Sequence, residues 1–108
     1  MKLSEIIGTN SAISPLRGLT AYNFVVSKLS SESKIIISFE GITECTSAFC
    51  NSFVGKLYQN FGPTASEKLI LTDIDSVWEN KIESSILLGT NSGIRDARKK
   101  SFENLIFA

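Results

Sequence analysis

Apolar and polar positions follow strand-like and helix-like patterns in turn, most clearly in the middle of the chain. Residues 34–39, KIIISF, form a short apolar run rich in β-branched side chains, which predicts a buried strand. A small polar turn follows at residues 40–47. Apolar residues then recur at helical spacing over residues 47–61, and the Gly-Pro pair at 62–63 is expected to end this helix. The pattern therefore predicts a strand, a polar turn and a helix in succession.

The flanking elements can be predicted in the same way. Ser14 and Pro15 suit the start of a helix, because serine can cap the first turn and proline fits within it. The remaining predictions are an edge strand within residues 1–8, a helix over 14–29, a loop at 62–67, a buried strand at 68–72, a helix over 77–88 and a last helix over 94–106.

This order of elements indicates the fold class. Strands separated by helices imply parallel neighbours joined by right-handed crossovers. We therefore predict a small α/β domain that spans residues 1–108. Its mostly parallel or mixed sheet would contain three to four strands, packed with about four helices.

The composition is typical of a folded chain, and it limits the classes of partner that can be expected. Apolar residues make up 43% and charged residues 20% of 108 residues, which favours a globular domain over disorder. Eleven basic residues balance eleven acidic ones, so net charge gives no argument for nucleic acid or an anionic membrane. No apolar stretch approaches the roughly 20 residues of a membrane helix, and no signal peptide is recognisable. We expect a cytoplasmic protein without a membrane partner.

The absence of histidine from the sequence limits the catalytic chemistry that can be expected. It excludes Ser-His-Asp and Cys-His arrangements. The two cysteines, Cys45 and Cys50, are too few for a disulfide scaffold and make a poor metal site. We expect both to be inert, and we expect no metal and no cofactor.

The polar turn is the first place to look for a site, because ligands of open α/β sheets gather beyond the carboxyl ends of the strands. Thr46 or Ser47 could cap the following helix, which is the simpler interpretation, or could carry a phosphate that the helix end would stabilise. Glu40 and Glu44 flank the turn and are better explained as solvated loop residues than as an acid–base or metal pair. Downstream, Asp73 and Asp75 end the next predicted strand and would lie beside the turn if the two strands are parallel neighbours. They would cap the next helix, which is the simpler interpretation, or add acidity to a partner face.

Three short motifs around this turn carry a family resemblance. The motifs FEGI at 39–42, SAF at 47–49 and FVGKL at 53–57 resemble those of the STAS-like domain family of unknown function. Similar flanking features are Arg17-Gly18, residues 71–74 and residues 77–88.

The resemblance implies a function through the related STAS domains. In bacterial anti-sigma-factor antagonists, a serine at this turn is phosphorylated by a partner of the ATPase-fold kinase class, which switches a protein–protein interaction. Ser47 corresponds to that serine. The preceding aspartate is replaced here by Thr46, and the usual serine and glycine that follow are Ala48 and Phe49.

The resemblance therefore predicts a non-enzymatic regulatory module that binds a protein, and it implies a partner of the kinase or ATPase-fold class. Its switch would be Ser47, with Thr46 beside it. The partner-binding turn would contain Glu40, Gly41, Thr43, Glu44, Ala48 and Phe49.

Other interpretations of the sequence stay open. A small enzyme or nucleotide-binding protein could use the same turn, but it would have to work without histidine and without a phosphate loop. Nucleic-acid binding is a weaker alternative, based on a basic patch in the last predicted helix: Arg95, Arg98, Lys99 and Lys100. A solvated helix face explains that patch more simply. The sequence also leaves homo-oligomer formation open.

Overall fold

The computed structural model describes residues 1–90 of the chain. The predicted helix over 94–106 and its basic patch lie outside the described residues. The helices are α1 (Leu3–Ile7), α2 (Pro15–Lys28), α3 (Ser47–Cys50), α4 (Lys56–Lys68) and α5 (Ser76–Thr90), with a π-helical segment (Asn51–Gly55) between α3 and α4. The strands are β1 (Ser11–Ala12), β2 (Ile35–Ser38), β3 (Glu44–Cys45) and β4 (Leu69–Thr72).

Helix α2 begins as its sequence predicts. The Ser14 side-chain oxygen accepts a hydrogen bond from the Arg17 amide at 3.2 Å, and Pro15 occupies the first turn, where no amide hydrogen is needed. Gly18, Ala21 and Val25 form its buried face. The predicted helix is therefore confirmed, with capping by serine.

The strands pair in parallel, as predicted, but in two separate pairs. Strand β2 pairs with β4 in a register that places Ile35 opposite Leu69 and Ser38 opposite Thr72. The two-residue strands β1 and β3 form a second parallel pair. The α/β class is thus confirmed, whereas the single sheet of three to four strands is not found in the described residues.

The prediction of an edge strand within residues 1–8 is wrong for most of that segment. Only the first two residues extend along β2, where the Ser38 amide donates to the Met1 carbonyl at 2.7 Å. The next five residues form α1, because Leu3 and Ile7 lie one helical turn apart and are both buried. Gly8 ends this helix in the left-handed conformation, with φ 74°.

The prediction of a loop at residues 62–67 is also wrong. The chain kinks at Gly62, where φ is 39° and ψ is −112°, and then resumes a helical path to Lys68. Proline ends one helix but suits the first turn of the next, so Pro63 belongs to the resumed part. The Gly-Pro pair thus marks a kink between two helical parts.

The core lies between one face of β2 and the helices. Ile35 and Ile37 are buried, whereas Ile36 between them is 50% exposed and its cross-strand neighbour Ile70 is 38% exposed. The prediction of a fully buried strand is therefore right for one face only. The largest fully buried side chains are Phe39, Phe49, Phe53, Leu3, Ile7, Ile37 and Leu57.

Helix α5 buries a narrower face than its apolar residues suggest. Trp78 and Ile82 are buried, but Val77 is 72% exposed and Leu87 is 55% exposed. The buried positions are one turn apart, so neighbours such as Val77 necessarily point elsewhere. Among the described helices, none combines the length and the apolar character required to cross a membrane.

Candidate functional site

The polar turn starts with a tight reversal at Glu40 and Gly41. The Ile42 amide donates to the Phe39 carbonyl at 3.0 Å, and Gly41 has φ 83°, a conformation that residues with a side chain rarely adopt. Apart from Gly41 itself and its two neighbours in the chain, no residue would have an atom within 4 Å of a Cβ added at Gly41. Glycine is therefore needed here for backbone conformation and not for close packing.

The middle of the turn is anchored to the segment before α2. The Thr43 amide donates to the Asn10 carbonyl at 2.9 Å, and the Thr46 amide donates to the Ala12 carbonyl at 3.0 Å. These bonds flank the short β1–β3 pair. A two-residue strand shows no periodicity, so the sequence offers no signal for this second sheet.

Thr46 is the residue that caps α3. Its hydroxyl accepts a hydrogen bond from the Phe49 amide at 3.2 Å and donates one to the Ile13 carbonyl. Its backbone is extended, with φ −99° and ψ 159°, as expected for a capping position. The capping interpretation is thus confirmed for Thr46, and the same hydroxyl also joins the turn to the start of α2.

Replacing Thr46 with alanine is expected to lower the free energy of unfolding by about 1–2 kcal/mol, because the cap and the bond to Ile13 are both lost. Urea denaturation of the variant would measure the loss. Thr46→Ser, which keeps the hydroxyl, is the control and should retain most of the stability. Equal midpoints for Thr46→Ala and the wild type would contradict this role.

The predicted partner-binding residues divide into exposed and buried positions. Glu40, Gly41, Thr43 and Glu44 are exposed on the turn, and Ser47 and Ala48 are exposed on the first turn of α3. Phe49 is fully buried, so its ring cannot contact a partner directly. The prediction of Phe49 as a partner-binding residue is therefore wrong. Its role is to support the exposed residues from below.

An exposed apolar patch lies beside the start of α3. Ile13 is 44% exposed and Leu16 is 71% exposed. Leu16 also lines a shallow groove with Pro15, Leu19, Ser52 and Lys56. Ala48 and Ser52 lie one helical turn apart, so the exposed start of α3 continues into this groove. We call the surface formed by Ile13, Leu16, Ser47, Ala48 and Ser52 the turn face.

Gly18 permits the close approach that forms the turn face. A Cβ added at Gly18 would lie 2.6 Å from the Phe49 carbonyl oxygen and 2.8 Å from the Ser52 Cβ. Real Cβ atoms essentially never come so close to other heavy atoms. The glycine therefore fixes how closely α2 and α3 pack, and with it the spacing of the residues on the turn face.

The carboxyl ends of β2 and β4 meet as predicted, and Asp73 lies beside the start of the turn. The Ser38 hydroxyl donates to the Asp73 carboxylate at 2.6 Å and accepts from the Glu40 amide at 3.1 Å. Asp75 accepts from the Val77 amide at 3.0 Å and so caps α5, as expected. These carboxylates have structural partners on the backbone or on a neighbouring side chain.

The other acidic residues of the turn show no paired arrangement. A carboxylate oxygen of Glu40 lies 4.0 Å from the Lys2 ammonium. Because both side chains are at least half exposed, this ion pair contributes little to the stability of the fold. Within the described residues, no group of three or more cysteine, aspartate or glutamate side chains could hold a metal ion.

Comparison with known families identifies the domain type. The sequence model of the STAS-like domain of unknown function matches residues 22–77, a range that runs from α2 to the start of α5 and contains the whole turn. The chain belongs to this STAS-like family. No curated protein and no solved structure matches the chain. Of the turn face of this STAS-like domain, Ser47, Ala48 and Ser52 fall within the matched range, and Ile13 and Leu16 precede it.

Proposed function

We propose that this STAS-like domain is a non-enzymatic regulatory module that binds a protein partner through the turn face and is switched by phosphorylation of Ser47. The observation that carries the proposal is the exposure of Ser47 and Ala48 directly above buried, fixed residues. The partner would be a regulator of the kinase or ATPase-fold class, in keeping with the role of the corresponding turn in related STAS domains.

The support beneath Ser47 suits a switch on a rigid base. Thr46 is fixed by two side-chain hydrogen bonds, and Cys45, Phe49 and Cys50 are buried around it. A modification of Ser47 would therefore change the surface and leave the core packing intact. Ser47 itself is exposed, so a phosphate on its hydroxyl would not have to break a contact in the core.

The chemical contrast at the turn face would make such a switch effective. A phosphate adds about −1.5 to −2 charges and three acceptor oxygens. The neighbouring Ile13 and Leu16 are apolar and exposed, and they suit a partner that covers them and excludes water. A dianion placed in such an interface would have to be desolvated, so it would weaken binding unless the partner offered basic residues.

A pull-down from the native host tests the proposal. Immobilised Ser47→Asp is expected to recover at least about tenfold less partner than the wild type, and Ser47→Ala should recover as much as the wild type. Ser33→Asp is the matched control, since Ser33 is also exposed but precedes β2, at the opposite end of that strand from the turn. Mass spectrometry of the protein from the same host should find phosphate on Ser47.

Two outcomes would separate the parts of the proposal. Equal recovery with Ser47→Asp, together with unmodified Ser47 and Thr46, would remove the switch. Leu16→Asp, which places a charge in the apolar patch, should abolish recovery of a partner bound at the turn face, and undiminished recovery would remove the interface. Tight binding of a nucleotide by the isolated domain, measured by calorimetry, would instead favour an enzyme or nucleotide-binding protein.

A further inference from the structure

The two cysteines of the chain form a close buried pair under the turn face. Cys45 lies in β3 and is 3% exposed, and Cys50 lies in α3 and is 1% exposed. Their sulfur atoms are 3.4 Å apart, within hydrogen-bond distance, and both are free thiols. The sequence contains no other cysteine, so neither thiol has a competing partner within the chain.

We propose that Cys45 and Cys50 are a modification site that a hydroperoxide converts reversibly to an intramolecular disulfide. Bond formation would bring the sulfurs from 3.4 Å to about 2.05 Å, a change on the scale of side-chain rotation. This inference concerns the thiols themselves and does not depend on the proposed partner or on phosphorylation of Ser47.

The surroundings give the two sulfurs different roles. The hydrogen bond between the two thiols lowers the pKa of Cys45, and burial opposes this effect while the Lys81 charge adds to it. The same hydrogen bond, followed by burial, raises the pKa of Cys50. The Lys81 ammonium is held close by, donating to the Cys45 carbonyl at 3.1 Å. Cys45 is therefore the attacking thiolate and Cys50 the resolving thiol.

The reaction has two balanced steps. The Cys45 thiolate attacks one oxygen of hydrogen peroxide, the O–O bond breaks, and hydroxide leaves as the sulfur becomes a sulfenic acid. The Cys50 sulfur then attacks the Cys45 sulfur and forms the S–S bond. The S–O bond breaks, and the leaving hydroxide takes up the Cys50 proton as water. A dithiol reductant reverses the change by thiol–disulfide exchange.

Local opening of the short second sheet would give peroxide a route to the buried sulfurs. Strand β3 pairs over two residues only, and its flanking hydrogen bonds run from Thr43 and Thr46 to Asn10 and Ala12. Local opening of so short a pair is less costly than unfolding of the domain. Once formed, the disulfide would join β3 to α3 across Thr46, Ser47, Ala48 and Phe49.

Peroxide treatment of the full reduced chain tests this proposal. After quenching, the protein is unfolded in the presence of an alkylating reagent and analysed by mass spectrometry. We expect the wild type to lose both alkylatable thiols without forming disulfides between chains, to yield a Cys45–Cys50 linked peptide, and to regain both thiols with dithiothreitol.

Variants assign the roles of the two thiols and of Lys81. Cys50→Ser should stop at the sulfenic acid of Cys45, which dimedone traps. Cys45→Ser should react at least about tenfold more slowly, and Lys81→Met should slow the wild-type reaction several-fold because it removes the nearby positive charge. Lys81→Arg, which keeps that charge, is the control and should react nearly as fast as the wild type.

The wild type alone can overturn the proposal, so the test does not depend on a variant that folds. Retention of both thiols in the folded chain, under peroxide exposure that oxidises the urea-unfolded chain, would exclude the disulfide. Disulfides formed only between chains would exclude it equally. Undiminished reactivity in Cys45→Ser would overturn the assignment of Cys45 as the attacking residue.

Discussion

Replacing Phe49 with alanine is expected to lower the free energy of unfolding by about 3–5 kcal/mol. Phe49 is fully buried, and its ring packs edge-on against Phe53 with centroids 5.8 Å apart. The substitution would remove that contact and leave a cavity directly beneath Ser47 and Ala48. Because small domains are stable by only about 5–15 kcal/mol, a large share of the total would be lost. Urea denaturation followed by far-ultraviolet circular dichroism would measure the change.

Phe61→Ala is the matched control for this prediction. Phe61 is only half-buried and packs loosely against Tyr22, with ring centroids 6.4 Å apart. The same chemical change should therefore cost less there, since fewer atoms lose their contacts and water can fill the space. If Phe49→Ala lowers the free energy of unfolding no more than Phe61→Ala does, the Phe49 ring does not support the turn.

Replacing Gly18 with alanine is expected to destabilise the domain by about 1–3 kcal/mol. On helix propensity alone the change should stabilise α2, since glycine costs about 1 kcal/mol relative to alanine. The added methyl group would however meet the Phe49 carbonyl oxygen and the Ser52 Cβ, and the carbonyl belongs to the backbone and cannot rotate away. The helices would have to separate, which would disturb packing along the whole α2–α3 contact.

Asn23→Ala is the control that separates the effect of helix propensity from the effect of packing between α2 and α3. Asn23 lies on the same helix but is exposed, so alanine there should gain a few tenths of a kcal/mol without entering any interface. Opposite signs for Gly18→Ala and Asn23→Ala in thermal or urea unfolding would show that close approach decides the outcome at Gly18. Stabilisation by both substitutions would mean that α2 can shift away from α3 at little cost.

The elements predicted correctly from the sequence are those with strong local signals. A β-branched apolar run specifies β2, and a serine–proline start with regular apolar spacing specifies α2. Segment 1–8 is harder to predict, because its apolar residues Leu3, Ile6 and Ile7 fit a short helix as well as a strand. The choice there depends on burial of Leu3 and Ile7 against the rest of the domain, which is a tertiary effect.

The candidate site could be located from the sequence, but not resolved into roles. Thr46 and Ser47 are both good capping residues, and only the structure shows that the Thr46 hydroxyl caps α3 while Ser47 is exposed. The burial of Phe49 likewise depends on the close approach of α2, which Gly18 permits. The proximity of Cys45 and Cys50 could not be predicted from their spacing in the sequence either, because Cys45 precedes the capping residue Thr46 and Cys50 follows it.

The parallel pairing of β2 with β4 has a consequence for synthesis of the chain on the ribosome. The paired residues Ser38 and Thr72 lie 34 positions apart, so one edge of β2 has no partner until β4 has been made. At about 5–20 residues per second, this interval lasts about 2–7 s. An apolar strand with an open edge is prone to associate with other chains. The newly made chain is therefore most vulnerable to aggregation before residue 72 emerges.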